Sequence, residues 1–235
     1  MFLSNKDFIE TSITKYLDEM IISFGHRSIM LELQPLVPYL LSNTLIQMTG
    51  FLEKKLDLIL WEFGCYDFNI RYDITRQQRC LSSQYSSVSD IYKYFKKLKI
   101  TNTNLLDHYD LADNAFYRII KIFENTKIKD YAGQDFIAFL SLKKESEDFK
   151  KSVIDSNEKS ELILKKLYED TIAYRNRIAH NISSIQPEMP SINCLKNRNI
   201  IYDNYFTRYM ILTYFDLVFT NLYKQYIETK IPIKL

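Results

Sequence analysis

The sequence predicts an almost entirely α-helical protein, because turn-forming residues are scarce, hairpin signals are missing and apolar residues recur at helical spacing. Glycine and proline number 4 and 5 in 235 residues, too few to supply the tight turns that join β-strands. Asn-Gly and Asp-Gly pairs, the strongest short hairpin signals, do not occur. Leucine, isoleucine and tyrosine instead return every three or four residues between charged ones, the period of a helix with one apolar face.

Taken in order, Ser4 with Asp7 three residues on can cap the free amides of a first helical turn. The helix that follows is expected to bury Phe8, Ile9, Ile13, Tyr16, Leu17, Met20 and Ile21 and to end at Gly25. Pro35 and Pro38 open the next helix, since a fixed φ and a missing donor are tolerated at a helix start; it should run to about Trp61 and close at Gly64. From Asn69 to Ser89 the pattern weakens to a short helix and a solvated loop. Ser87 with Asp90 begins a helix through Tyr92, Phe95 and Leu98, with Lys93, Lys96, Lys97 and Lys99 on a solvated face. Asn104 with Asp107 caps a helix whose stripe is Leu111, Ala115, Ile119, Ile122 and Phe123. After Gly133 a helix should run to about Lys144, and the charged stretch Glu145 to Lys159 then crosses solvent or turns the chain. A long helix from near Asp155 is expected to bury Leu162, Leu164, Leu167, Ile172 and Ala173 on one side or the other. The last helix, from about Asp203 to Glu228, is apolar nearly all round and must be covered on most sides, by its own domain or by a second subunit.

The chain is long enough for one large core or two small ones. No shift in composition is strong enough to cut it, so residues 1–130 and 131–235 read as two helical regions of one continuous compact unit. Net charge is only +2 with 26% charged residues, so a nucleic-acid partner must be met by a local patch rather than by bulk charge. Cys65, Cys80 and Cys194 lie far apart without a CxxC pair, which excludes a disulfide framework and a thiolate zinc site and suits a reducing cytoplasm. Met1 to Met20 is interrupted by Lys6, Asp7, Glu10, Lys15, Asp18 and Glu19 and lacks a signal-peptide core. Tyr205 to Tyr226 is interrupted by Arg208, Asp216 and Lys224, so a buried helix is expected there and no membrane span.

Chemistry concentrates in Tyr174-Arg175-Asn176-Arg177-Ile178-Ala179-His180-Asn181. One of three histidines stands there beside two arginines and two asparagines, with a small residue, Ala179, that lets another surface approach. On a helix Asn176 and His180 share a face, whereas Arg175 lies about 140° from His180. A long arginine bridges that gap most easily where a helix loosens, as Asn181, Ser183, Ser184 and Pro187 suggest. These residue types suit a phosphodiester. His180 can accept the proton of an attacking hydroxyl near neutrality. Arg175 offers a permanently charged fork for two phosphate oxygens, and Asn176 can orient the imidazole or donate to the phosphate. Arg177 and Asn181 would make supporting substrate contacts. Arg71, Arg76 and Arg79, near Tyr72 and Tyr85, form a candidate RNA-facing strip, against the plainer reading of a solvated loop. The same motif residues also fit an ordinary helix end, where cations meet the dipole. His108, in a first helical turn, is expected to be neutral and structural or exposed, and His26 to lie in a loop.

The string RNRIAHN resembles the signature of the HEPN superfamily, small helical domains in which an arginine, a following polar residue and a histidine a few positions on form a ribonuclease site. Arg175, Asn176 and His180 match that motif position by position. The resemblance implies a metal-independent endoribonuclease, without cofactor, that cleaves single-stranded or loop RNA by 2′-hydroxyl attack and leaves a 2′,3′-cyclic phosphate, or its opened form, and a 5′-hydroxyl. It also implies a homodimer with two motifs facing one cleft, and a role as a toxin or antiviral defence effector, with an antitoxin or regulatory protein as a further partner. Members controlled by AMP transfer carry a tyrosine two residues after the histidine; here that position is Ile182, so control by that route is not expected. Some members bind without cutting, and a non-catalytic module that binds nucleotide, RNA or a partner protein is the alternative. The signature covers only these few residues, and the N-terminal half carries none.

Overall fold

The computed structural model describes residues 4–25, 36–76, 108–141, 160–181 and 204–230. Among them every regular element is a helix: α1 (Asn5–Glu10), α2 (Lys15–Gly25), α3 (Val37–Tyr66), α4 (Phe68–Arg76), α5 (His108–Phe123), α6 (Lys127–Ala132), α7 (134–141), α8 (Ser160–Asn181) and α9 (Tyr205–Lys230). The fold is all-α and multi-helical, as the composition predicts. None of the described helices is long and apolar enough to cross a membrane.

The last helix is the centre. Asn204 starts α9 by accepting the amide of Phe206 at 2.8 Å and donating through Nδ2 to the carbonyl of Asp135. From Phe206 to Thr220 every residue but Leu217 is buried, because α5, α3 and α8 of the same chain all pack on it. Phe206 meets Phe123 and Phe136 with ring centroids 5.0 Å away in each case, Phe215 meets Tyr168 at 5.5 Å, and Tyr226 meets Phe63 at 4.5 Å. The apolar circumference therefore needs no second subunit to bury it, and gives no support for a dimer.

α3 runs along α9 and also touches α1, α2, α4, α6 and α8. It starts at Val37 with a proline in its first turn, but it does not stop at Gly64. That glycine is buried inside the helix, which ends at Tyr66 with Asp67 as its cap. Asp67 turns the chain by giving its amide to the carbonyl of Phe63 at 2.9 Å, while its Oδ1 accepts the amides of Asn69 (2.8 Å) and Ile70 (3.1 Å) to start α4. An aspartate that can cap the next helix is a better stop than a glycine with no left-handed turn to make.

The N-terminal stretch differs from a single helix in one respect. Ser4 caps it as expected, its hydroxyl accepting the amide of Asp7 at 3.2 Å, and Ile9, Ile13, Leu17 and Met20 are buried with Phe8, Tyr16 and Ile21 packed against them. Yet the helix breaks between Glu10 and Lys15. The cause is a buried ion pair between Lys55 of α3 and Asp216 of α9, whose side chains are 0% and 3% exposed. Lys55 Nζ also donates to the carbonyl of Thr11 at 2.6 Å, and Asp216 Oδ2 accepts the amide of Ile13 at 3.1 Å. Two backbone groups that a continuous helix would pair within itself are taken by two buried charges, which need every available partner in a dry interior.

The middle helices follow the sequence closely. In α5 Ala115, Ile119 and Phe123 are buried and Leu111 and Ile122 partly so. Gly133, with φ +43°, separates α6 from α7. In α8 Ile172 is buried as expected but Ala173 is exposed, a correction to its expected burial. A helix turns about 100° per residue, so the face holding Tyr168, Thr171 and Ile172 excludes position 173. The expected Ser87, Asn104 and Asp107 caps, the lysine face of 93–99, the stretch 145–159 and the side chains of Leu162, Leu164 and Leu167 lie outside what is described.

Candidate active site on helix α8

The motif lies wholly within α8, which stays helical through Asn181. The loosening expected ahead of Pro187 therefore does not reach residues 175–181. Tyr168, Thr171, Ile172, Tyr174 and Ile178 form the buried side of the helix, and Arg175 and Asn176 are half-buried at its margin. Ala179 is exposed, which leaves room beside it. By helical period, position 180 lies about 40° around the axis from Asn176 and about 140° from Arg175. The side chains of Arg177, His180 and Asn181 lie outside the described residues.

Arg175 is engaged. Its Nη2 donates to Oε1 of Glu53 on α3 at 2.5 Å, with the arginine side chain 16% and the glutamate side chain 27% exposed. The Nε of Arg175 is buried without a hydrogen-bond acceptor. The guanidinium is thus drawn toward α3 by one carboxylate oxygen, and its fork is only partly satisfied. A phosphate that used this arginine would have to share it with Glu53 or displace that carboxylate. Asp57, one helical turn beyond Glu53 on the same side of α3, has its carboxyl pushed up to about 6 by burial and by the Glu53 charge, against the opposing effect of Lys54.

A second guanidinium flanks the motif. Arg208, in the first turn of α9, is 6% exposed, and its Cζ lies 3.6 Å from the centroid of the Tyr174 ring. Tyr174 is also edge-on to Tyr205 at 6.0 Å. The cation over the aromatic face locks the start of α9 to the turn of α8 that carries Arg175.

Sequence reasoning missed both Glu53 and Arg208. Arg208 figured only as a charge interrupting an apolar run. For Glu53 the available signal was its spacing from Asp57: two acids at i, i+4 repel on an isolated helix, so a cation from elsewhere could have been sought there. Of the other sequence candidates only Arg71 is described with its side chain. Arg71 is exposed on α4 with its Cζ 5.6 Å from the Phe68 ring; the side chain of Arg76, all of Arg79 and His26, and the side chain of His108 at the start of α5 lie outside the described residues. Cys65 is a free, exposed thiol. Among the described residues no group of three histidines, cysteines or acids is placed to hold a metal ion.

Comparison with known protein families, characterised proteins and solved structures returned no match.

Proposed function

We propose that this protein is a HEPN-like, metal-independent endoribonuclease that cleaves single-stranded or loop RNA. The observation that carries the reading is the R-N-x-x-x-H motif of Arg175, Asn176 and His180 in the closing turns of a long helix of an all-α chain. His180 takes the proton of the ribose 2′-hydroxyl, the 2′-oxygen bonds to phosphorus, and the bond from phosphorus to the 5′-oxygen breaks. The departing 5′-oxygen takes a proton from the second copy of the motif in a homodimer. Arg175 stabilises the charge that builds on the non-bridging oxygens, and Asn176 orients the imidazole. Arg177 and Asn181 contact the substrate backbone. Cleavage of cellular RNA of this kind suits a cytoplasmic toxin or antiviral defence effector restrained by an antitoxin or regulatory partner.

The test is incubation of the purified protein with mixed RNA in excess chelator. Cleavage leaving 2′,3′-cyclic phosphate ends is expected, with loss of about 10²-fold or more in His180→Ala and in Arg175→Ala. No cleavage by the unmodified protein, or unchanged cleavage in His180→Ala, sinks the reading. Sedimentation of the same sample checks for the homodimer.

One observation favours a second reading. With Arg175 already paired to Glu53, the motif also suits a non-catalytic module that binds nucleotide, RNA or a partner protein. That reading expects RNA binding that survives His180→Ala and weakens in Arg175→Ala.

A further inference from the structure

The helices around the motif run in fixed senses. α8 is antiparallel to α9, since Tyr168 meets Phe215 and Tyr174 meets Tyr205. α3 is parallel to α9, since the Leu41 carbonyl accepts the hydroxyl of Tyr209 and Phe63 meets Tyr226. α3 and α8 are therefore antiparallel, and a step back along α3 from Glu53 is a step forward along α8 from Arg175, toward position 180. One turn back from Glu53 stands Gly50, exposed, where a Cβ would meet nothing within 4 Å. A glycine inside a helix is destabilising relative to alanine, and packing within the chain does not require this one. One turn forward from Arg175 stands Ala179, also exposed. One turn the other way along α3 stands the half-buried Asp57. The ion pair of Arg175 with Glu53 thus has an acid on one flank and, on the other, an opening between two small residues.

Arg175 uses little of its fork. The guanidinium carries five N–H donors in one plane; Glu53 takes Nη2 with Oε1 alone, and the enclosed Nε has no acceptor. The side chain still reaches solvent, 16% exposed, so donors remain for an oxygen arriving from outside. A partner that uses one oxygen fixes the direction of the guanidinium without covering it. Unheld, an arginine at the margin of a helix samples many rotamers, and bringing it to one geometry costs conformational entropy. Held beforehand from a second helix, it is preorganised for charge that develops in a transition state. Glu53 suits this task because its neighbours Leu52 and Leu56 are fully buried and fix that turn of α3.

We propose that Glu53 is a positioning residue of the RNA site. It keeps hold of Arg175 during the reaction, and a phosphate oxygen meets the remaining donors from the side of Gly50 and Ala179, so the arginine is shared and Glu53 is not displaced. That the phosphate belongs to RNA rests on the cleavage reading above; the hold rests on the ion pair.

The experiment compares Glu53→Gln with Glu53→Ala in the full-length protein in chelator. Turnover of an RNA oligonucleotide is measured, and so is anisotropy of a labelled 2′-O-methyl oligonucleotide, which has no 2′-hydroxyl to attack. Both changes remove the negative charge, but only glutamine keeps an oxygen for Nη2. Glu53→Gln should lower KM about threefold to tenfold and keep most of kcat, whereas Glu53→Ala should cost about tenfold or more in kcat. In the binding assay Glu53→Gln should bind about threefold or more tighter than Glu53→Ala. In an Arg175→Ala background the two changes should be indistinguishable, which a merely structural role of Glu53 would not produce. Gly50→Leu, which closes the opening, should weaken binding about tenfold. Circular dichroism checks that each variant folds. If Glu53→Gln and Glu53→Ala turn over alike, Glu53 only competes with the phosphate, and the proposal is overturned while the catalytic reading stands. A difference between them that persists without Arg175, or unchanged binding by Gly50→Leu, also overturns it. If the unmodified protein binds RNA but does not cut it, the catalytic reading falls, and the proposal stands only if Glu53→Gln binds tighter than Glu53→Ala. Absence of both cleavage and binding overturns both.

Discussion

At Arg175 the charge that a phosphate would meet is already met by Glu53, 2.5 Å away across the α3–α8 contact. That pair still reaches solvent, which screens it and keeps its net contribution to stability modest, on the order of 1 kcal/mol, while its effect on an incoming anion is larger. Glu53→Gln removes one negative charge from beside the guanidinium and is expected to tighten RNA binding by about threefold to tenfold, as read by filter binding at constant salt. Unchanged affinity would show that Arg175 does not meet the phosphate. Asp57 gives a second test at this scale. Its carboxyl, pushed up to about 6 by burial from an ordinary value of 3.8, binds a proton in the folded protein at pH values where the unfolded chain has lost it. Stability therefore falls as pH rises from about 4 to about 6 and stays lower above that window. Asp57→Asn should raise the melting temperature at pH 7 by a few degrees, about 2–4 °C, and give no gain near pH 4, which calorimetry at the two pH values decides. The identities of Arg175, Asn176 and His180 as candidates were legible in the sequence because they stand within one helix. Glu53 and Arg208 were not, because what they touch depends on how α3 and α9 pack against α8.

Among the elements, α3 and α9 are held by the Lys55–Asp216 pair, and the two breaks that the sequence did not place both trace to aspartates acting at a distance or at a cap. The helical stretches themselves were readable from local period. The gap between α1 and α2 was not, since the acceptor for the Ile13 amide lies 203 residues further along. Lys55→Ala or Asp216→Ala should each cost about 3–5 kcal/mol, since either leaves a buried charge alone. The double change Lys55→Met with Asp216→Leu should recover only part of this, because the Thr11 carbonyl and Ile13 amide lose their partners; urea unfolding of the three variants measures the difference. Recovery to full stability would show that these backbone groups find water. Gly133 makes a smaller, local prediction. At φ +43° and ψ −109° an alanine there should destabilise by about 1–3 kcal/mol through backbone strain alone, since its Cβ meets nothing closer than the Asp130 carbonyl at 3.9 Å.

For the whole molecule, the helical class was legible because it rests on short-range facts, few glycines and prolines and a steady 3.6-residue period. The arrangement was not, because a helix that is apolar all round gives no direction, and α9 packs against α3, α5 and α8. Its central place sets an order of events during synthesis. Lys55 emerges 161 residues before its counter-ion, and until α9 follows, the sides of α3 and α5 that pack on it have no cover. A chain ending at residue 203 should stay largely unfolded by circular dichroism and near-ultraviolet spectra, although it contains α8 complete. The nascent polypeptide therefore displays its motif well before it has the core that fixes it, or Arg208 to hold it. For a protein that would cut RNA, assembly of the motif's surroundings only once α9 has been made is a safeguard written into the order of its helices.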